Sequence, residues 1–345
     1  MSVTSSNRYD DLSSDHYIPP RNHLLDLENW SAADLHGMLQ LANTVQSAWR
    51  DTDGKLDWLR GKVIITLFYE NSTRTRVSFE LAGKALGADV VNITASSSSV
   101  AKGESLRDTI NTLDALNADI IVMRHDQSGA AETATQWSRA AIVNAGDGWH
   151  AHPSQALLDL YTLQQQWGSV NGKRIVILGD IMHSRVVRSN CWSLTTLGAE
   201  VILCGPPTLV PSTFPAAYPN RTIRVEHSLE RALAGADAVM ALRLQRERMT
   251  GGFLPSMREY RAVWGLTAAR LADYPELPIL HPGPMNEGIE IDPEVAHSKH
   301  SLVEAQVANG MPVRMAILLW AAGVRELPTV PNTSHLIATE VSHAR

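Results

Sequence analysis

Apolar positions along the chain fall into two alternating periods. Across NWSAADLHGMLQLANTVQSAW, Leu35, Met38, Leu39, Ala42 and Val45 recur at helical spacing, and Ser31 and Asp34 are placed as a capping box, which predicts an opening helix. KVIITLFY (62–69) is a continuous apolar run and predicts a buried strand; Val77, Leu81 and Ala85 then mark a helix that Gly87 stops. ADVVNIT (88–94), ADIIVMR (118–124) and AAIVNAG (140–146) are further short apolar runs between turn signals. HPSQALLDLYTLQQQWG (152–168) reads as a longer helix begun by Pro153 and Ser154. After it the strand and helix order restarts with KRIVILGD (173–180), SRVVRSNCWSLTTLG (184–198), AEVILCGP (199–206), ADAVMALR (236–243) and LPILHPGP (277–284).

Buried runs alternating with helices imply parallel sheets, and the restart implies two of them. The fold class is therefore α/β, with two similar domains, each a parallel sheet flanked by helices, joined near the 152–168 helix. The last helical stretch, SLVEAQVANGMPVRMAILLWAAGV, is expected to break at Asn309-Gly310 and Pro312 and to need a partner for its apolar face, the first domain being the candidate. Residues 20–151 with 303–330 are then one domain and 152–302 the other, between a disordered N-terminal tail (1–19) and a C-terminal tail (331–345).

Composition narrows the function classes. At 345 residues and 44% apolar, the chain can bury cores for two domains. A net charge of -6 gives no overall attraction to nucleic acid or anionic lipid, so arginines that matter must act locally. No run approaches the roughly 20 apolar residues of a membrane helix, and the first nineteen residues lack a targeting pattern. Cys191 and Cys204 lie in apolar segments without C-x-x-C spacing, which argues against a disulfide framework or zinc site and for a reducing cytoplasm.

Chemistry concentrates at strand ends. Ser72, Thr73, Arg74 and Thr75 stand where the 62–69 strand meets the next helix, and a helix start with unpaired N–H groups, hydroxyls and guanidinium is suited to an anion such as phosphate. The same residues also read as an ordinary N-cap with solvated arginines, a common arrangement. Further polar residues recur at equivalent places: Arg124 at a strand end, His152 and Gln155 at a helix start, Arg185 opening the helix after 173–180, and Arg243 with Gln245 after 236–243. All can converge on one crevice between the domains.

The motifs STRTR (72–76), KGES (102–105), VMRH (122–125), HPSQALLD (152–159), HSRVVRS (183–189), LRLQRERM (242–249) and HPGPMNEG (281–288), in this order, resemble those of the aspartate carbamoyltransferase catalytic chains. The resemblance covers most of the chain. It implies transfer of the carbamoyl group of carbamoyl phosphate to L-aspartate, giving N-carbamoyl-L-aspartate and phosphate in pyrimidine synthesis, with no metal or organic cofactor. By resemblance Ser72, Thr73, Arg74 and Thr75 hold the phosphate; Thr75, Arg124 and His152 bond the carbonyl oxygen as its charge grows; Gln155, with the carbonyls near Pro282 and Gly283, binds the NH2 group. Arg185, Arg243 and Gln245 match aspartate-binding positions, where guanidinium pairs with carboxylate. The serine-rich loop 94–109 matches one that enters a neighbouring subunit's site, so Lys102, a further aspartate-binding position by resemblance, and Ser98 would serve the adjacent subunit of a homotrimer.

The sibling ornithine carbamoyltransferases share the phosphate cluster, but ornithine's ammonium would meet Arg243 as a like charge, and their HCLP motif is replaced here by HPGP. Met285 also departs from the HPLPR of the enteric bacterial members, removing one arginine from the site. A dinucleotide enzyme, suggested by IVILGDIMHS, lacks G-x-G-x-x-G, while a non-catalytic assembly paralogue would have lost site residues that this chain keeps. The tail before Pro19 is either disordered or a docking point for a regulatory or dihydroorotase-like subunit. Arg76, one step along the helix, is expected to pair with Glu80 instead of substrate.

Overall fold

A computed structural model describes residues 22–52, 54–94, 103–245, 252–324 and 326–328; the expected tails, 1–19 and 331–345, lie outside them. In chain order the first half runs α1 (Ala32–Arg50), β1 (Val63–Phe68), α2 (Thr73–Ala85), β2 (Asp89–Thr94), α3 (Leu106–Ala115), β3 (Ile120–His125), α4 (Ala130–Thr135), β4 (Ala141–Asp147) and α5 (Pro153–Trp167). The second runs β5 (Arg174–Leu178), α6 (Arg185–Thr196), β6 (Glu200–Cys204), β7 (Ile223–Glu226), α7 (Leu229–Leu233), β8 (Ala238–Ala241), α8 (Met257–Trp264), α9 (Ala268–Leu271), β9 (Ile279–Leu280), α10 (Pro293–Ala296) and α11 (Val303–Ala321).

The α/β expectation is borne out as two wholly parallel sheets, ordered β2-β1-β3-β4 and β7-β6-β5-β8-β9. In each, the chain order reverses beside the strand that opens the unit, so a crevice forms at the carboxyl ends of the β1/β3 pair and of the β5/β8 pair. An identical clasp starts both units. Asp119 Oδ2 accepts the N–H of Val63 at 3.0 Å while Oδ1 meets Lys62 Nζ at 3.1 Å; Asp237 Oδ2 accepts the N–H of Arg174 at 2.8 Å while Oδ1 meets Lys173 Nζ at 2.9 Å. The central strand pair of each sheet is thereby locked in register at the end away from the crevice. β7 was not foreseen, because a half-buried edge strand reading IRVE carries little apolar signal.

The capping box of α1 forms as its spacing predicts: Asp34 N–H donates to Ser31 Oγ at 3.2 Å and Ser31 N–H to Asp34 Oδ2 at 2.9 Å. One apolar core includes faces of both sheets, with Ile64 and Val122 from the first and Ile177 and Leu203 from the second, joined by residues of α5, α6 and α11. α11 packs against α1, α2 and α5. Its expected break at Asn309-Gly310 and Pro312 does not occur: the helix runs unbroken through Pro312. Pro312 forfeits one N–H, a defect worth about 3 kcal/mol, but the helix is enclosed by neighbours along most of its length, and that burial outweighs it. Gly310 gives room for Arg314, whose guanidinium occupies the space a Cβ there would need. Arg76 is a second correction: Glu80 pairs with Lys84 at 2.6 Å, and Arg76 acts on that carboxylate only as a nearby positive charge.

Candidate functional site

The strand end of β1 and the start of α2 set the first half of the site. Ser72 occupies the N-cap with extended backbone (φ -156°), yet its hydroxyl makes no capping bond, so that hydroxyl is not spent on the helix start. Thr75 is buried, whereas Thr73 and Arg74 face solvent. Arg74 is exposed by its accessible surface, but enough protein surrounds it to lower its pKa from the usual arginine value, burial contributing most and the charge of Arg243 next. Across the crevice Gly283 (φ +64°) lies against the Arg74 guanidinium, and any Cβ at that position would collide with it. Only glycine satisfies both the left-handed backbone and this approach.

The second half is built on a carboxylate. Glu70, just beyond β1, places Oε2 at 2.5 Å from Arg185 Nη2 and 3.2 Å from Arg124 Nε. Arg124 Nη1 also donates to the Ala145 carbonyl at 3.4 Å, and Arg185 Nη1 to the Gly148 carbonyl at 3.2 Å. Both guanidiniums lie against Gly146 at the end of β4, where a side chain would displace them. Arg185 is buried, so its direction is fixed before any ligand arrives.

His152, the N-cap of α5, is buried beside these cations. Its pKa is pushed well below 6.5, by burial first and then by the charges of Arg124, Arg185 and Arg314, so the ring is neutral at pH 7. Ser154 Oγ lies 3.4 Å from its Nδ1, and the His152 backbone N–H is held by Ser189 Oγ at 2.8 Å. Gln155 follows on the first turn of α5 and donates Nε2 to Asp159 Oδ1 at 2.8 Å.

His281 is buried at the start of the 281–284 turn. Its Nδ1 accepts the Gly283 N–H at 2.8 Å and its Nε2 faces Glu290 Oε1 at 3.4 Å; burial lowers its pKa against the raising effect of Glu290, and Arg74 and Arg243 add to the depression. Pro282 and Gly283 are half-buried, with a cis peptide between Gly283 and Pro284. Gln245 is anchored through its backbone N–H to Asp180 Oδ2 at 3.3 Å, and Asp180 in turn holds His183 Nδ1 at 2.8 Å.

The sequence candidates thus gather as one cluster of Arg124, Arg185 and His152 and another of Arg74, Arg243 and the 281–284 turn. Ser98 and Lys102 lie outside the described residues. Glu70, Asp159, Asp180 and Gln306 were missed. Glu70 carried a signal, an acidic residue at a strand end two positions before Ser72; the others are buried partners that single-residue reading cannot rank. Two arginines beside neutral His152 and two more beside the 281–284 turn suit ligands with several negative charges. A cavity of about 260 Å³ lined by Leu271, Tyr274, Leu277 and Val295 lies elsewhere and offers mostly apolar surface. Among the described residues no His, Cys, Asp and Glu group could hold a metal ion, and no helix is long and apolar enough to cross a membrane.

Residues 22–165 match the model of the aspartate/ornithine carbamoyltransferase carbamoyl-P binding domain, and residues 171–321 that of the Asp/Orn binding domain. The chain is 54% identical over 306 residues to the aspartate carbamoyltransferase catalytic subunit of Chloroflexus aurantiacus, covering 88% of this chain and 99% of that one. It is 52% identical over 311 residues to the catalytic subunit of Mycobacterium bovis, covering 87% and 95%. Among solved structures it resembles aspartate transcarbamoylase from Trypanosoma cruzi in complex with carbamoyl phosphate and aspartate, at TM-score 0.79 and 33% identity over 88% of this chain and 99% of that one. Ornithine carbamoyltransferase from Pyrococcus furiosus, at TM-score 0.78 and 24% identity over 88% and 98%, shares the fold.

Proposed function

The chain belongs to the aspartate/ornithine carbamoyltransferase family, and on that premise we propose that it transfers the carbamoyl group of carbamoyl phosphate to the amine of L-aspartate, in pyrimidine synthesis. The observation that carries the choice of aspartate is the 54% identity to an aspartate carbamoyltransferase catalytic subunit over nearly its whole length. The arginine-rich crevice supports it, since Arg185 and Arg243 suit a dicarboxylate and would repel an ammonium side chain.

In this reading residues 20–151 with 303–330 bind carbamoyl phosphate and 152–302 bind aspartate. Ser72, Thr73, Arg74 and Thr75 take the phosphate, neutralising the leaving group while fixing the carbonyl. The aspartate amine attacks the carbonyl carbon, and Thr75, Arg124 and the N–H of neutral His152 meet the oxygen as it becomes negative. Gln155 and the carbonyls of Pro282 and Gly283 accept from the NH2 group; Arg185, Arg243 and Gln245 hold the aspartate carboxylates. With Arg124 bound to Glu70 and Arg74 near Gly283, both sides of the crevice already contribute to the assembly of the site.

The active assembly is a cytoplasmic homotrimer in which Lys102 and Ser98 enter the adjacent subunit's site. Phosphate release measured with aspartate, with ornithine and with neither decides the substrate: release with ornithine and not with aspartate overturns the assignment. Mixing inactive Lys102→Ala and Arg74→Ala chains decides the sharing, because hybrid trimers regain activity only if one site draws on two chains.

A further inference from the structure

Asp159 lies in α5 with no exposed surface. Its carboxylate collects amide donors from three helices: Oδ1 accepts from Gln155 Nε2 at 2.8 Å and from Gln306 Nε2 of α11 at 2.7 Å, and Oδ2 accepts from Asn190 Nδ2 of α6 at 2.9 Å. An ionised carboxylate only accepts, so each amide must turn its NH2 inward and its oxygen away. Asn190 displays the strength of that demand, because its Oδ1 is left buried without a partner among the described residues. For Gln306 the outward oxygen has a visible use: Oε1 accepts the backbone N–H of His281 at 2.9 Å. His281 Nδ1 then accepts the Gly283 N–H at 2.8 Å, completing a chain from Asp159 to the 281–284 turn.

We propose that Asp159 is the positioning residue that makes the site selective for a carbamoyl group, fixing the Gln155 oxygen and, through Gln306 and His281, the Pro282 and Gly283 carbonyls as acceptors for the substrate NH2. The proposal rests on the roles given above to Gln155, Pro282 and Gly283. A glutamine amide can rotate by half a turn with almost no change in shape, and a reversed Gln155 would oppose its own NH2 to that of the substrate. The carboxylate forbids the reversal. An acyl phosphate with methyl in place of NH2 offers these acceptors nothing, so it is rejected although its phosphate is bound equally well.

The test compares, on the whole purified enzyme, the KM for carbamoyl phosphate with the inhibition constants of acetyl phosphate and inorganic phosphate in wild type, Asp159→Asn, Gln306→Met and Gln155→Ala. In Asp159→Asn and Gln306→Met, KM for carbamoyl phosphate rises roughly tenfold or more, as expected for lost or reversed hydrogen bonds, while both inhibitors change by less than about twofold. Equal weakening of all three ligands would mark a general structural role and overturn the proposal. If Gln155→Ala loses the discrimination and Asp159→Asn retains it, the relay is wrong and the Gln155 role stands. If Gln155→Ala itself retains the discrimination, the underlying role of Gln155 fails and the proposal with it. Should Asp159→Asn not yield soluble protein, Gln306→Met, which keeps the carboxylate, decides on the same ratio.

Discussion

Glu70 Oε2 stands 2.5 Å from Arg185 Nη2, so a carboxylate from the end of the first sheet's central strand orients a buried arginine that opens the first helix of the second unit. The same oxygen meets Arg124 Nε at 3.2 Å. One residue therefore pre-orients the arginine given to the carbonyl oxygen and an arginine given to aspartate.

Removing that carboxylate leaves the buried Arg185 with less compensation for its charge. Glu70→Ala is expected to destabilise the fold by up to about 3 kcal/mol, the low end for breaking a buried pair, because Glu70 itself is partly solvated. Chemical denaturation checks the stability. Steady-state kinetics should show KM for aspartate rising more than KM for carbamoyl phosphate; the reverse order would contradict the role of Arg185.

Gly283 tests the opposite wall. Gly283→Ala forces a Cβ into the Arg74 guanidinium and strains a backbone at φ +64°, the conformational part costing about 1–2 kcal/mol. Displacing Arg74 should weaken inorganic phosphate binding by roughly tenfold or more, since a charge-assisted contact is worth about 1.5–3 kcal/mol. Isothermal titration with phosphate measures this, with circular dichroism confirming the fold.

His152 should not titrate near the ordinary histidine value. Its folded pKa is depressed, so on lowering the pH the unfolded chain takes up a proton at about 6.5 before the folded chain does. The stability from the neutral buried ring is fully present above that value and is lost as pH falls toward the folded pKa. A titration of the ring by NMR should show it neutral at pH 7. An activity profile with an acid limb at 6.5 that disappears in His152→Gln would overturn the prediction.

Asp159 behaves in the other direction. Burial raises its pKa to about 6, against the lowering effect of Asn190, Gln306, Gln155 and Arg314. Between the unfolded value near 3.8 and about 6 the folded state holds the extra proton, so this residue's contribution to stability falls as pH rises through that window. Relative to Asp159→Asn, wild type should lose about 2–3 kcal/mol between pH 4 and pH 7, a tenfold difference in proton affinity between the folded and unfolded chain being worth about 1.4 kcal/mol. Urea midpoints of both proteins at the two pH values provide the check.

The strand runs, the capping box at Ser31 and the polar strand-to-helix junction at Ser72–Thr75 were legible because each depends on residues close in sequence: a period, a cap and a helix start are local devices. The resemblance added the substrates, since its motifs hold their order over most of the chain. α11 was misjudged for the same reason. Gly310 and Pro312 are helix breakers by local rule, and only the enclosure of that helix by α1, α2 and α5 reverses the outcome.

By itself the sequence determined two parallel α/β units and the kinds of side chain at their strand ends, because backbone propensity and apolar period act over a few residues. Only the tertiary structure decided that Glu70 would reach Arg124 and Arg185, that Gly283 would lie against Arg74, and that Asp159 would bind amides from three helices. Those pairings join residues up to 209 positions apart, as between Arg74 and Gly283, and a charge or amide acquires its partner and its direction only when packing has removed water and fixed both ends.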